Sequence, residues 1–116
     1  MAVRRVVANM KCNDFDAARR FYGECLGMTT VMDHGWILTL AGEGQSLPQV
    51  GFATEGGSGT PVPELSIEVD DFDAVRGRME KAGIAFEYGP VEEPWGVRRF
   101  FVRDPFGRLV NILSHL

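Results

Sequence analysis

The histidines and cysteines, which serve most often as transition-metal ligands, are few and widely spaced. Two histidines, His34 and His115, and two cysteines, Cys12 and Cys25, are the candidates. Neither an HxxxH nor a CxxC spacing joins them, so the spacing predicts no metal-binding or redox motif. Both histidines are expected to face solvent, one in a turn and one near the C-terminus. The cysteines are expected to be free thiols.

Two tryptophans offer a second kind of chemistry, the stacking of a flat ligand. Trp36 is predicted to open the third strand, and Trp95 to lie in a loop before the seventh strand. Indole rings are well suited to contacts with aromatic or cationic groups. Packing in a core or in an interface is the alternative for each ring.

Composition and charge narrow the classes of partner. The 116 residues are enough for one domain, and 45% hydrophobic with 24% charged residues is typical of a globular protein. The net charge of −4 argues against nucleic acid, which requires a basic surface. No apolar run reaches the roughly 18 residues of a membrane span. The first residues lack the apolar region of a signal peptide, so a cytoplasmic location is expected.

An internal repeat organises the chain. The tetrapeptide DFDA occurs at residues 14–17 and again at 71–74, an offset of 57 residues. Each copy follows an alternating, strand-like segment and precedes a helical apolar stripe, which in the first half runs from Phe15 to Leu26. Asn13 or Asp14, and likewise Asp70 or Asp71, are predicted to cap the two helices. Gly27 and Gly83 are predicted to close them.

The same order of elements is predicted on both sides of the repeat, β-α-β-β-β twice, which is an α+β fold. A Gly-rich segment at 56–61 is predicted to be a flexible connector between module 1, about residues 1–55, and module 2, about residues 62–116. The predicted strands cover residues 5–11, 29–33, 36–40 and 47–53 in the first half, and 64–70, 84–88, 97–103 and 109–114 in the second half.

Three motifs in this order resemble the vicinal oxygen chelate superfamily, which includes glyoxalase I, extradiol dioxygenases and bleomycin-resistance proteins. They are the helix at residues 14–27 with its FYxxxLG end, the VDD sequence at 69–71, and the closing hairpin with DPFG at 104–107. The resemblance covers essentially the whole chain. It implies two tandem βαβββ modules that form one cleft, and a homodimer.

The resemblance also indicates where a divalent metal would bind in the superfamily. The positions on the first, fifth and last strands correspond to Val7, Glu64 and Asn111, and no residue is assigned on the fourth strand near Phe52. Valine cannot coordinate a metal, and an amide oxygen is a poor ligand for a transition metal. No metal and no other cofactor is therefore expected. A metal held by an atypical ligand set is the alternative.

The register implied by the resemblance turns Arg99 and Phe101 toward the cleft, and Phe100 and Val102 toward the helix. Glu64 is the best candidate for a catalytic group, either as a general base with a raised pKa or as a hydrogen-bond acceptor for a ligand. An internal ion pair with Arg5, Lys11 or Arg99 is the alternative for Glu64. The expected ligand-binding residues are Val7, Asn9, Trp36, Glu64, Ser66, Trp95, Arg99, Phe101 and Asn111.

The resulting hypothesis is a metal-free protein that binds a small molecule and sequesters a toxic or antibiotic-like compound in an aromatic-lined cleft. An enzyme of the same superfamily, of the lyase, isomerase or dioxygenase type, is the alternative. Such an enzyme would use Glu64 or an atypical metal site. Saturable binding without turnover would favour the first hypothesis over the second.

Overall fold

The repeated tetrapeptide begins a helix at both of its copies, as predicted. The Asp14 carboxylate accepts a hydrogen bond from the Ala17 N–H at 3.0 Å, and Asp71 accepts one from the Ala74 N–H, also at 3.0 Å. Each aspartate thereby satisfies an N–H group that the first helical turn leaves unpaired. The capping prediction is confirmed for Asp14 and Asp71.

The computed structural model describes residues 7, 8, 10–44 and 51–116. The chain divides into two compact units, Met1–Thr54 and Glu55–Leu116. The Gly-rich segment therefore belongs to the second unit. Within the described ranges, no helix combines the length and hydropathy that a membrane span requires.

The helix of the first unit widens along its length. Helix α1 covers Phe15–Ala18 and continues directly as a π-helix over Arg19–Cys25, where a single α-helix to Leu26 was predicted. The buried residues of the π-helical segment are Phe21, Tyr22 and Cys25. A π-helix is rare and cannot be told from an α-helix by apolar spacing alone.

A hairpin follows this helix. Strand β1, Thr29–Asp33, pairs antiparallel with β2, Leu38–Ala41. The His34 N–H donates to the Ile37 carbonyl at 3.0 Å, which closes a turn between the strands. Trp36 lies in this turn and is 79% exposed, so its prediction as the first residue of a strand is wrong. The turn keeps its neighbours out of the β-ladder and delays the start of β2.

Two further strands are predicted in the first half, over 5–11 and 47–53. The parts of them that the structure describes, residues 7, 8, 10, 11 and 51–53, form no strand. The remaining residues of both segments lie outside the described residues. The prediction of a strand is therefore wrong for the described portion of each segment.

The second unit forms a four-stranded sheet with one helix. Its elements are β3 (Leu65–Glu68), α2 (Phe72–Lys81), β4 (Phe86–Glu93), β5 (Val97–Arg103) and β6 (Leu109–His115). The strand order is β3-β6-β5-β4, in which β3 and β6 are parallel and the other pairs antiparallel. This is the βαβββ arrangement predicted for the second half. The predicted strands over 97–103 and 109–114 are confirmed, the latter with one more residue.

Helix α2 packs its apolar stripe on one face of this sheet. The Phe72 ring lies edge-on to Phe100, with 5.3 Å between ring centroids, and Phe86 stacks on Phe100 at 4.5 Å. Met79 and Val102 are fully buried in the same layer. Burial of such side chains contributes most of the free energy that holds a helix on a sheet. The prediction that Phe100 and Val102 lie under the helix is confirmed.

Strand β4 continues through a segment that was predicted to end it. The predicted strand stops at Tyr88 because Gly89 and Pro90 are turn residues. The observed strand runs from Phe86 to Glu93, with a shift of register between Tyr88 and Val91. Gly89 has φ 75°, which accommodates the bulge. The tertiary pairing with β5 therefore overrides the local turn preference.

The DPFG turn between β5 and β6 is held by its own aspartate. The Asp104 carboxylate accepts hydrogen bonds from the Phe106 and Arg108 N–H groups, both at 2.9 Å. Asp104 is buried, and Gly107 takes a positive φ of 84°. The motif therefore forms the turn of the closing hairpin, as the resemblance implies.

Candidate functional site

The face of the four-stranded sheet opposite α2 carries the polar side chains of interest. The Arg98 guanidinium lies 4.6 Å from the centre of the Phe72 ring, on the helix side of the sheet. Because side chains alternate along a strand, Arg99 and Phe101 point to the opposite side, as predicted. We call this side the helix-free face; it carries Ser66, Tyr88, Glu93, Arg99, Phe101 and Asn111.

A buried ion pair lies on the helix-free face. The Arg99 Nη2 is 2.8 Å from Glu93 Oε2, and Arg99 Nε donates to the same oxygen at 3.2 Å. Only 4% of the Arg99 side chain and 3% of the Glu93 side chain are exposed. Tyr88 donates to Glu93 Oε1 at 3.0 Å, so both carboxylate oxygens are occupied. Such a pair is tolerable in a low-dielectric site because its hydrogen bonds compensate for lost hydration.

The Gly-rich segment supplies further hydrogen bonds to this ion pair. The Gly56 and Gly57 carbonyls accept hydrogen bonds from Arg99, at 2.7 and 3.2 Å. The Ser58 hydroxyl donates to Glu93 Oε2 at 2.9 Å. A segment predicted to be a flexible connector thus forms a defined loop. Carbonyl groups without side chains can approach the guanidinium closely, and a Cβ added at Gly57 would lie 2.9 Å from the Trp95 ring.

Aromatic rings surround the guanidinium. The Arg99 Cζ lies 4.8 Å from the centre of the Phe101 ring, 5.0 Å from Trp95 and 5.3 Å from Tyr88. These are cation–π distances. Trp95 is 53% exposed while its ring contacts Arg99, so it offers indole surface to an aromatic ligand. Arg99 itself is occupied by protein groups, so the structure makes it a support for the site rather than a free ligand contact.

The charge of Glu93 is stabilised in the folded protein. Burial by itself raises the pKa of this carboxyl group. The hydrogen bonds donated by Ser58, Tyr88 and Arg99, together with the charge of Arg99, outweigh burial and lower the pKa below its ordinary value of 4.5. Ionised Glu93 therefore contributes stability that is present above pH 4.5 and is lost as the pH falls through the lowered pKa.

The lowered pKa of Glu93 predicts how acid changes the stability of the Glu93→Gln variant relative to the wild type. At neutral pH the variant should unfold more easily than the wild type, because it lacks the charge that pairs with Arg99. The difference in free energy of unfolding should shrink as the pH falls below 4.5, where the wild type also loses this charge. Urea unfolding from neutral pH to about pH 3 measures it. Glu87→Gln, in a half-exposed pair with Arg103, is the control and should show a much smaller change. If the difference in free energy of unfolding between the wild type and Glu93→Gln stayed constant with pH, Glu93 would not have the lowered pKa described above.

An amide and a hydroxyl form a second polar group on the helix-free face. Asn111 Nδ2 donates to Ser66 Oγ at 3.1 Å, which joins β6 to β3. Asn111 is 7% exposed, and its Oδ1 has no hydrogen-bond partner among the described residues. A buried polar atom without a partner is uncommon in folded proteins. The structure thus brings together the predicted site residues Ser66 and Asn111.

Glu64 does not have the environment predicted for it. Its side chain is 56% exposed, and its carboxylate lies 3.8 Å from Arg108 Nε. The predicted pairing with Arg99 is wrong, because Arg99 pairs with Glu93. A group this exposed keeps most of its hydration, so the argument from burial for a general base does not apply to it. Arg5 lies outside the described residues and Lys11 belongs to the first unit, so the pairings of Glu64 with these two residues stay predictions.

The other predicted ligand residues belong to the first unit. Val7 and Trp36 are both exposed there. Asn9 lies outside the described residues. His34 and His115 are exposed as predicted, and the His115 ring nitrogen Nδ1 lies 2.7 Å from a Glu68 carboxylate oxygen.

Glu93, the buried acid of the site, was not among the residues predicted from the sequence. The local sequence nevertheless contains features that indicate its position. The sequence Glu-Pro-Trp-Gly predicts a short turn, and the observed ladder places Glu93 opposite Val97 and Val91 opposite Arg99. Glu93 and Arg99 are therefore diagonal neighbours on one face, a spacing that long side chains bridge.

Comparison with known proteins identifies the family. The family model of the Glyoxalase/Bleomycin resistance protein/Dioxygenase superfamily matches residues 6–112. The chain belongs to this superfamily. The match confirms the resemblance drawn from the three sequence motifs, and no curated protein matches the chain.

Solved structures show the same fold. TnmS3, an antibiotic binding protein from Streptomyces sp. CB03234, is 27% identical with a TM-score of 0.64; the match covers 90% of this chain and 88% of TnmS3. A glyoxalase/bleomycin resistance protein from the same organism is 29% identical with a TM-score of 0.57, covering 86% and 90% of the two chains. A superfamily member from Sphaerobacter thermophilus DSM 20745 is 22% identical with a TM-score of 0.66, covering 99% and 98%.

The residues at the superfamily's metal positions do not fit a divalent ion. At the three positions that the resemblance assigns, Val7 has no donor atom and Asn111 supplies only a neutral amide oxygen, so Glu64 is the one carboxylate; the fourth-strand position has no assigned residue. Catalytic sites normally provide three protein ligands. Among the residues that the structure describes, no three His, Cys, Asp or Glu side chains lie close enough to share a metal. That the protein works without a metal stays a prediction.

Proposed function

We propose that this protein binds a small, antibiotic-like or toxic compound and sequesters it without a metal and without chemical change. The proposal is based on the charged side chains of the helix-free face, which already have partners within the protein. The two buried charged side chains of this face, Glu93 and Arg99, are occupied by each other and by neighbouring groups. The half-exposed ring of Trp95, whose centre lies 5.0 Å from the Arg99 guanidinium carbon, is the surface available to a compound. Stacking on such a ring supports binding more than catalysis.

The comparison with TnmS3 supports the same proposal, since TnmS3 is described as an antibiotic binding protein and the match extends over most of both chains. The homodimer and the cytoplasmic location stay predictions. An enzyme that uses Glu64, or a metal bound by an unusual ligand set, is the outcome that the test below must separate from binding.

The test measures binding and turnover on one sample. Trp36→Phe leaves Trp95 as the one tryptophan of the chain, so its fluorescence reports on the site. A panel of polycyclic aromatic natural products is titrated against this variant, and each compound is then recovered and analysed by mass spectrometry. We expect saturable quenching for at least one compound, with the compound unchanged. A compound that binds should raise the melting temperature of the wild type. Trp95→Leu, made in the wild-type chain, should lose this rise. Steady conversion of a compound would contradict the proposal.

Metal content provides the second measurement. Purified protein is analysed by elemental mass spectrometry before and after incubation with Ni, Zn, Mn, Co and Fe(II). We expect no retained metal, because the three superfamily positions hold one carboxylate. Tightly bound metal in a one-to-one ratio would overturn the metal-free part of the proposal.

A further inference from the structure

The accessible part of the candidate site is one face of the Trp95 ring. The Arg99 Cζ lies 5.0 Å from the centre of this ring and covers its other face. The Gly57 backbone lies against an edge of the ring, since a Cβ built on Gly57 would be 2.9 Å from Trp95 Cη2. Trp95 is nevertheless 53% exposed, so the face turned away from Arg99 is open to solvent. A flat ligand can therefore reach this face while the protein keeps its conformation.

The guanidinium group behind the ring is held in place by its hydrogen bonds. Its Nε and Nη2 donate to Glu93, at 3.2 and 2.8 Å. Its Nη1 donates to the Gly56 carbonyl at 2.7 Å, and Nη2 donates also to the Gly57 carbonyl at 3.2 Å. All three nitrogens are thus occupied by oxygen acceptors, which leaves the faces of the planar group for aromatic rings. Glu93 offsets the charge at a distance, so Arg99 acts on a ligand mainly through the ring it contacts.

A cation on one face changes what the opposite face of an indole attracts. The face of an isolated indole ring is negative, and it attracts cations and electron-poor aromatic rings. In this protein a cation already lies over one face of Trp95 and draws the electron density of the ring toward itself. The opposite face is then less negative than that of an isolated indole. Such a face disfavours a second cation and favours an electron-rich partner.

We propose that Arg99, acting through the Trp95 ring, selects uncharged, electron-rich aromatic compounds as ligands of this site. The inference rests on the proposed binding function and deepens it, because it names the class of ligand and the residue that sets this class. Arg99 is a positioning residue in this role, since the Trp95 ring lies between it and the ligand. An exposed tryptophan without a cation behind it would select the opposite class, which is cationic or electron-poor.

The test uses two uncharged probes of opposite electronic character. The ether 2-methoxynaphthalene is electron-rich and 2-naphthonitrile is electron-poor, and the two share the same ring system. Their affinities for the Trp36→Phe variant are measured from the shift of its single indole N–H signal in nitrogen-15 NMR spectra. Each association constant is divided by the octanol–water partition coefficient of the compound, which removes the difference in hydrophobicity. We expect the corrected affinity for the ether to be at least about threefold higher. A smaller corrected preference, or a preference for the nitrile, would overturn the inference.

Removal of the buried charges tests the assigned cause. In Arg99→Met combined with Glu93→Gln, made in the same background, the preference for the ether should disappear or reverse, because the ring regains the properties of an isolated indole. Arg103→Met combined with Glu87→Gln removes a half-exposed pair from the same two strands and should keep the preference. An unchanged preference in the first double variant, or its loss in both, would overturn the role of Arg99. If the first double variant does not fold, the comparison of the two probes in the protein that retains Arg99 decides the inference.

Failure of this inference can be told apart from failure of the proposed function. If the Trp95 titration detects a bound natural product and the two naphthalenes show no corrected preference for the ether, the assigned selectivity is wrong and the binding function stands. If a natural product binds and neither naphthalene does, the result is the same. If neither the panel nor the naphthalenes bind, both the inference and the proposed function are wrong.

Discussion

Replacing Arg99 with methionine is expected to lower the free energy of unfolding by about 3–5 kcal/mol. The variant leaves Glu93 charged, 3% exposed and without its counter-ion. It also removes the donors that hold the Gly56 and Gly57 carbonyls. An uncompensated buried charge is one of the few causes of so large an effect from a single substitution. Urea unfolding at neutral pH measures it.

A double-mutant cycle tests the assigned cause. Arg99→Met combined with Glu93→Gln should be considerably less destabilised than the sum of the two single variants, since the double variant leaves no charge buried alone. Arg103→Met on the same strand is the matched control. Its pair with Glu87 is about half exposed, so the expected cost is at most about 1 kcal/mol. Additive effects at Arg99 and Glu93 would show that the pair is not coupled in solution.

The second large effect is expected for Gly89→Ala, at the bulge of β4. Gly89 has φ 75°, and a Cβ there would lie 2.6 Å from the Arg99 carbonyl oxygen. We expect a loss of about 2–5 kcal/mol, which combines left-handed strain of about 1–2 kcal/mol with overpacking of about 1–3 kcal/mol. The colliding atom is backbone in the adjacent strand, so it cannot move aside without disturbing the ladder that carries Arg99.

Gly83→Ala isolates the contribution of strain. Gly83 has the same φ of 75°, and nothing lies within 4 Å of a Cβ built there. The expected cost is about 1–2 kcal/mol. Equal losses for the two alanine variants, measured by thermal and urea unfolding, would mean that the bulge relaxes around the added methyl group.

Much of the second unit was predictable because its signals are local. The DFDA repeat marked both helix starts, since an aspartate can cap a helix within its own four residues. The register implied by the family resemblance placed Phe100 under the helix and Arg99 on the other face. The DPFG turn was equally readable, because Asp104 makes its hydrogen bonds within four residues.

The errors have a common physical cause. Trp36 was predicted to begin a strand directly after the turn signal at His34 and Gly35, although a turn hydrogen bond between His34 and Ile37 excludes it from the ladder. Strand β4 was ended too early because the pairing of Val91 with Arg99 outweighs the turn preference of Gly89. In both cases a contact with another residue decided the backbone, and single-residue preference did not.

In the candidate site, too, some features could be predicted from the sequence and others depend on tertiary contacts. The residue types are given by the sequence itself, and the orientation of β5 and the poor ligand set at Val7, Glu64 and Asn111 follow from the family resemblance that its motifs carry. Local sequence does not specify that Arg99 is held by Glu93 and by carbonyls 42 and 43 residues away. Nor does it specify the unpaired oxygen of Asn111. Ion pairing and burial depend on which atoms the folded chain brings within a few ångströms, so the tertiary structure alone decided which acid is buried and which hydrogen-bonding atom is free.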